Sequence, residues 1–168
     1  ALVEQGCGVS ASDASRLGDG VCDGGIFVSE GCNLDDGDCE PIAWDPVGNP
    51  IVGENAGDES GAAIAFSADG KVLAIAAAKN SGASGIPNSG HVRVHSYTGS
   101  DWIQLGDDID GGEADGDSFG ISIAMSSDGT RITVGANRQV SNQTGFAIVY
   151  EYGTGIDKWV QIGNRLSR

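Results

Sequence analysis

The segment Gly61-Ala-Ala-Ile-Ala-Phe-Ser-Ala-Asp-Gly70 returns 59 positions later as Gly120-Ile-Ser-Ile-Ala-Met-Ser-Ser-Asp-Gly129. Both copies end in Ser-x-Asp-Gly, and Asp and Gly suit the positive-φ positions of a tight turn. A second run rich in apolar residues follows each turn, at 71–77 and at 130–136. Strands joined by so short a turn pair antiparallel, so each copy predicts a β-hairpin.

The repeat continues beyond this hairpin. Residues 90–97 return as 145–152, at an offset of 55, and residues 102–106 return as 159–163, at an offset of 57. The strand-like runs therefore lie at about 61–67, 71–77, 90–97 and 102–106, and again at 120–126, 130–136, 145–152 and 158–163. Four antiparallel strands in ~58 residues are typical of a β-propeller blade. We expect an all-β fold with two four-stranded antiparallel propeller-type blades, at about 52–106 and 109–163.

A third tryptophan extends the pattern towards the start of the chain. Trp44 precedes Trp102 by 58 residues, which predicts that residues 42–51 form the outer strand of another blade. Two blades cannot close a ring, because a propeller needs about four to eight. We therefore expect 42–168 to be a partial propeller, completed by the remaining blades of a longer polypeptide or by other protein chains.

Residues 1–41 have a different composition and predict a separate, loop-dominated module. They contain every cysteine of the chain, many acidic residues and few large apolar ones. Such a segment needs disulfides or a metal in place of a hydrophobic core. An even number of cysteines favours two disulfides formed in an oxidising compartment. A zinc site is the weaker alternative, because no His lies nearby and no Cys-x-x-Cys pair is present.

Two runs in this module alternate carboxylates with Gly between cysteines, Asp-Gly-Val-Cys-Asp at 19–23 and Cys-Asn-Leu-Asp-Asp-Gly-Asp-Cys at 32–39. Carboxylate oxygens are the ligands that Ca²⁺ prefers. The segment resembles the Notch-type LNR module, although Leu34 and Asp36 stand where that family has Trp and Gly. The resemblance implies one bound Ca²⁺ and two disulfides, with ligands Asp19, Asp35 and Asp38, helper Asp23, and pairs Cys7–Cys32 and Cys22–Cys39. A disulfide-tied acidic loop without metal is the alternative.

The repeat pattern, with W-x-Q-x-G, S-x-D-G and G-H-V-R-V-x-x-Y, is similar to repeats in secreted or cell-surface propeller proteins of algae and marine microbes. It is more distantly similar to the FG-GAP blades of integrins, whose Asp-x-Asp-x-Asp-Gly calcium loop is not reproduced. The acidic turns at 107–111 and 115–117 could hold a second ion. The first copy offers only Asn55, Asp58 and Glu59 there, so we expect these carboxylates to be solvated.

No catalytic motif is found in the sequence. His91 and His95 are spaced so that both lie on one face of a strand and could bind a metal, but Phe146 and Tyr150 replace them in the second copy. We therefore expect them to have a packing or surface role. No Gly-x-Ser-x-Gly elbow is present, and no Gly-x-Gly-x-x-Gly motif follows a strand into a helix. We expect the protein not to be an enzyme.

The charge of the chain limits its partners. The formal net charge is −15 and no basic cluster is present, which disfavours nucleic acids and anionic lipids. No run approaches the ~20 apolar residues of a membrane span, and Asn142 begins a glycosylation sequon. We expect a noncatalytic secreted or cell-surface protein, structural or adhesive and stabilised by calcium, that binds proteins or glycans through propeller loops. The alternative is a noncatalytic binding module of a larger secreted enzyme.

Overall fold

A computed structural model describes residues 45–83, 85–111, 116–137 and 144–167. These ranges contain nine strands and no helix, so the described chain has no helix of the length and apolarity that membrane crossing requires. The first sheet comprises β1 (Ser60–Phe66), β2 (Val72–Ala77), β3 (His91–Tyr97), β4 (Trp102–Gln104) and β5 (Ile109–Asp110). The second comprises β6 (Ser122–Met125), β7 (Arg131–Ala136), β8 (Phe146–Gly153) and β9 (Lys158–Ser167).

Each sheet is an antiparallel meander. The order is β1-β2-β3-β4 in the first sheet and β6-β7-β8-β9 in the second, and the short β5 pairs with β3 beyond the end of β4. The all-β class and the two four-stranded antiparallel sheets are thereby confirmed. The closed ring of a propeller stays a prediction. The predicted boundary between the two domains, at residues 41 and 42, lies outside the described residues.

Pairing at the outer edge of each sheet extends further along the chain than the sequence predicts: β4 ends at Gln104 but β5 follows it, and β9 continues to Ser167. Ile109 of β5 lies opposite Val92, and Leu166 of β9 lies opposite Ala147. These are equivalent positions in the two repeats, so β5 is the counterpart of the end of β9. The pairing of β8 with β9 shifts register between Ala147 and Val149, where a step of two residues in β8 matches a step of four in β9, from Ile162 to Leu166; extra residues of this kind form a bulge.

The turn between the first two strands of each sheet has the same hydrogen bonds in both copies. Ser67 Oγ donates to Asp69 Oδ1 at 2.7 Å, and Ser126 Oγ donates to Asp128 Oδ1 at 2.6 Å. Only Gly70 (φ 69°) has positive φ in the first turn, and its counterpart has φ 72°. The prediction of positive φ was therefore right for the glycines and wrong for the aspartates, whose carboxylates instead accept hydrogen bonds that close the turn.

The two sheets pack face to face. Side chains alternate between the faces of a strand, and the facing sides supply a shared core. This core is formed by Ala74, Ala76, Val92, Val94 and Ile109 from the first sheet, and by Ile132, Val134, Ala136, Phe146 and Ile148 from the second, with Phe119 between the sheets. Ala68 N also donates to Ser127 O at 2.9 Å, which joins the two hairpin turns.

An indole links each repeat to the segment that precedes it. Trp159 Nε1 donates to the carbonyl oxygen of Leu105 at 2.9 Å, and Trp102 Nε1 donates to that of Val47 at 2.9 Å. Residues 45–51 form no ladder within the described chain. The pairing expected for an outer strand at 42–51 needs strands beyond this sequence, so that assignment stays a prediction.

Candidate metal centre

Strand β3 places two imidazoles on the sheet face that points away from the second sheet. Val92 and Val94 enter the shared core, so the alternation of a strand directs His91, Arg93 and His95 to the opposite face. The two histidines are only 2% and 7% exposed. Our expectation of a packing or surface role does not account for the carboxylates that the fold brings to these buried imidazoles.

Two segments distant in sequence bring carboxylates to His91. Glu54 comes from the stretch that precedes β1, and its Oε2 lies 3.9 Å from His91 Nδ1. Asp108 comes immediately before β5, and its Oδ2 lies 4.0 Å from the same nitrogen. One ligand atom from each of the three residues lies within 4.8 Å of the other two. The fold therefore gathers one nitrogen and two carboxylate oxygens at a single point.

Neighbouring amides orient the two carboxylates. Asn80 Nδ2 donates to Glu54 Oε2 at 3.0 Å and to Asp58 Oδ2 at 2.7 Å. Gln104 Nε2 donates to Asp108 Oδ1 at 2.7 Å, which leaves Oδ2 as the oxygen nearest to His91. Such outer contacts fix the orientation of ligating side chains in metal sites.

His95 adds a second buried imidazole on this face. Its Nδ1 has no hydrogen-bond partner. Burial lowers the pKa of His95, and the nearby positive charge of Arg93 lowers this pKa further, while Asp108 opposes the shift. The imidazole is therefore neutral at physiological pH, and neutral imidazole is the form that binds metals.

The second repeat carries different chemistry at the equivalent positions. Phe146 and Tyr150 replace the two histidines, and Arg165 replaces Asp108. The Arg165 guanidinium carbon lies 4.8 Å from the centroid of the Phe146 ring, a cation–π distance. The same backbone positions thus have an apolar and cationic arrangement in one sheet and a His/carboxylate cluster in the other, so the cluster is not a requirement of the repeat.

The acidic turns are only partly as the sequence predicts. The Asp107 side chain is 73% exposed, in accord with a solvated carboxylate. Asp117 is 1% exposed and Asp58 is 9% exposed, so the expectation of solvated carboxylates is wrong for this pair. Asp58 and Asp117 lie 59 residues apart, the same offset as Gly61 and Gly120. This offset was a sequence signal that the two aspartates occupy equivalent positions in the two repeats.

The other predicted site residues cannot be located. The calcium ligands, the cysteines and the asparagine of the sequon all lie outside the described residues: Asp19, Asp23, Asp35, Asp38, Cys7, Cys22, Cys32, Cys39 and Asn142. Those assignments stay predictions. Sequence reasoning did not pair Glu54 or Asp108 with the histidines. The two acids are 37 and 17 residues away from His91, and they belong to no common motif.

Comparison with known proteins gives no family for this chain. A scan against models of protein families finds no match, and a search of curated proteins finds none at the significance required. Functional inference therefore depends on the residues and their geometry.

Proposed function

We propose that this protein is a noncatalytic, extracellular or cell-surface structural or adhesion protein whose two sheets are blades of a β-propeller. Further sheets of the same kind complete the propeller, and its loops bind protein or glycan partners. The observation that carries this proposal is an uncovered apolar surface on the first sheet, at positions that are covered in the second.

Strands β1 and β6 make this contrast plain. Ile64 and Phe66 of β1 are 59% and 50% exposed. Their counterparts Ile123 and Met125 are partly buried and pack against the shared core, because the first sheet covers them. Large apolar side chains grouped on an open sheet face favour a covering partner. A further sheet of the same repeat has the matching shape, since that is what covers the second sheet.

The indole links support the same stacking. Each link joins a tryptophan to the residue before a positive-φ glycine in the preceding segment, and Gly48 and Gly106 have φ values of 74° and 75°. A Cβ at either glycine would lie 3.1 Å from the indole Cδ1. Gly163 repeats the conformation, with φ 71°. We expect the indole of a tryptophan in a following repeat to pack against Gly163 in the same way.

Binding rather than catalysis fits the electrostatics of the described carboxylates. A general acid needs a raised pKa. Hydrogen bonds from residues of their own turns lower the pKa of Asp69 and Asp128, and hydrogen bonds from Asn49 and Trp102 lower the pKa of Asp101. These groups are ionised acceptors: Asp69 and Asp128 close hairpin turns, and Asp101 binds Asn49. Together with a net charge of −15, they favour a cation-stabilised protein that recognises neutral or basic partners.

Sedimentation equilibrium tests whether the open face takes another sheet. We expect the 168-residue chain to self-associate through this face and Ile64→Glu to shift it to a monomer, because the variant places a charge on the face. The matched control is Ile156→Glu, which adds the same charge at an exposed side chain in the β8–β9 turn and should leave association unchanged. A chain that stays monomeric and binds no apolar dye at this face contradicts the proposal.

Native mass spectrometry tests the calcium part of the proposal. We propose that residues 1–41 form an LNR-like module with one Ca²⁺ and two disulfides. The nonreduced chain should weigh four hydrogens less than the reduced chain, and should lose one calcium mass on treatment with EDTA. Free thiols and no calcium would remove the LNR-like module, and with it the main support for an extracellular location.

A glycan array probed with the calcium-loaded chain tests partner binding. We expect a narrow set of glycans to be retained and to be released by EDTA, because EDTA removes the calcium that we propose stabilises the protein. Hydrolysis of a retained glycan would contradict the noncatalytic assignment.

A further inference from the structure

We propose that Glu54, His91 and Asp108 bind a divalent transition-metal ion, with Zn²⁺ as the representative ion. This site is distinct from the calcium site proposed in residues 1–41. It lies on the face of the first sheet that points away from the second.

The donor set selects the class of ion. Ca²⁺ and Mg²⁺ are held by oxygen ligands, whereas one imidazole nitrogen with two carboxylate oxygens suits zinc and its neighbours in the first transition row. The Glu54 and Asp108 ligand oxygens lie within 4.8 Å of each other, so the two carboxylates repel one another. A divalent ion would neutralise both acids. Among the described residues, Arg93 provides a positive charge near Glu54, with its Nη1 4.0 Å from Glu54 Oε1.

The separations of the ligand atoms are close to those of a bound site. Zinc–nitrogen and zinc–oxygen distances of about 2.0–2.2 Å place tetrahedral ligands roughly 3.4 Å apart. The observed 3.9 Å and 4.0 Å therefore exceed this separation by about half an ångström. Glu54 lies on a connecting segment and its side chain is 43% exposed, and the Asp108 side chain is 30% exposed, so small side-chain movements of both can close these gaps without movement of the sheet.

His95 lies on the same sheet face but outside the group of three ligand atoms. It is more than nine-tenths buried, it lies on the same face as His91, and its Nδ1 has no hydrogen-bond partner in the protein. A buried polar nitrogen left without a partner is costly. Residues four apart on a strand lie roughly 13 Å apart, so a water molecule, not His95, would complete the coordination of an ion at Glu54, His91 and Asp108.

Isothermal titration calorimetry with ZnCl₂ tests the site on the full chain. The protein is first stripped with EDTA and desalted, and then titrated in the presence of excess Ca²⁺, which occupies the proposed calcium module. We expect one Zn²⁺ per chain. Glu54→Gln and Asp108→Asn should each weaken binding by more than the roughly 10–100-fold that loss of an outer-shell partner costs.

Two variants make the test specific. Asp107→Asn removes the neighbouring exposed acid, whose Oδ2 lies 2.9 Å from Lys158 Nζ, and should leave zinc affinity unchanged. His91→Phe introduces the residue of the second repeat and should abolish binding in a chain that still gives a β-sheet circular dichroism spectrum. Equal zinc affinity in the wild type, Asp108→Asn and Asp107→Asn would overturn the proposal, as would the absence of zinc binding by the wild type.

Cobalt substitution separates this site from the cysteines. Co²⁺ bound to thiolates gives intense near-ultraviolet charge-transfer bands, whereas Co²⁺ bound to nitrogen and oxygen gives only weak visible bands. We expect weak visible bands that disappear in His91→Phe. Thiolate bands that persist in His91→Phe would place the ion in residues 1–41 and overturn the assignment.

Discussion

The hairpin-turn glycines of the two sheets have the same backbone conformation and different surroundings. Gly70 and Gly129 have φ values of 69° and 72°. A Cβ added at Gly129 would lie 2.8 Å from Val72 Cγ2, whereas one added at Gly70 would meet no atom within 4 Å. A second pair of equivalent glycines, Gly61 near the start of β1 and Gly120 just before β6, shows the same difference. A Cβ at Gly120 would meet Ala76 Cβ at 2.8 Å, and one at Gly61 would meet nothing within 4 Å. Burial in these sheets is therefore set by the neighbouring sheet, not by the repeat itself.

The residues at the first position of β3 and of β8 differ in the same way between the two sheets. Phe146 of the second sheet packs near Phe119, with ring centroids 6.4 Å apart, because the first sheet and its connection cover that position. His91 occupies the equivalent place on the open side of the first sheet and faces carboxylates instead. A partner that covers the first sheet would have to accommodate this polar cluster. Its interface would therefore differ from the one between the two described sheets.

The largest expected effect comes from the turn glycines. Gly129→Ala places a Cβ at positive φ, which costs about 1–2 kcal/mol, and forces it against Val72, which costs a further ~1–3 kcal/mol. Gly70→Ala carries only the first cost, since no atom lies near its Cβ. Urea unfolding measures both free energies. Equal losses in the two variants would show that the sheets do not pack at this turn as described.

Isoleucine truncation sharpens the same contrast with identical residues. Ile123→Ala removes a half-buried side chain from the interface and should cost about 2 kcal/mol, whereas Ile64→Ala on the open face should cost about 0.5 kcal/mol or less. Thermal unfolding of the dilute chain checks this pair. A loss at Ile64 as large as that at Ile123 would mean that another surface already covers the first sheet.

The repeated sheets could be predicted because two copies give the same signal twice. The Ser-x-Asp-Gly turns and the alternating runs on either side of them fix strand number and pairing without long-range information. The extension of the last strand was missed, because Ile109 and Leu166 follow Gly106 and Gly163, and glycines with polar neighbours are typical of a strand's end. Here they mark an interruption after which pairing with the preceding strand resumes.

The candidate metal centre could be predicted only in part. The spacing of His91 and His95 showed that both lie on one strand face. The contributions of Glu54 and Asp108 depend on where connecting segments cross that face, and the alternation within a strand does not report this. Comparison with Phe146 and Tyr150 indicated a packing role for the histidines, and their burial is compatible with that role; the comparison gave no information on the carboxylates, because the two repeats differ at these positions.

The indole links should give a smaller difference. Trp159→Phe removes a part-buried hydrogen bond to Leu105 O and should cost about 1 kcal/mol. The hydrogen bond from Trp102 is exposed, so Trp102→Phe should cost less, because water can replace the indole. Unfolding is followed by circular dichroism, since both variants change the fluorescence. A larger loss of stability in Trp102→Phe than in Trp159→Phe would contradict this. It would indicate that the link between residues 45–51 and the first sheet is stronger than the link between the two sheets.

The smallest effect is a pH dependence that differs between the two turns. Hydrogen bonds from Ser126 and from the Thr130 amide and hydroxyl lower the pKa of Asp128 from 3.8 to about 2. Because the pKa is lower in the folded state, this carboxylate stabilises the fold fully above pH ~4 and loses that contribution as the pH falls towards ~2. Asp128→Asn should therefore flatten the acid side of a plot of melting temperature against pH. Asp69 has Lys71 where Asp128 has Thr130, so it accepts a backbone bond there but no hydroxyl bond, and Asp69→Asn should flatten the plot less. The same flattening in both variants would show that the threonine hydroxyl contributes nothing to the second turn.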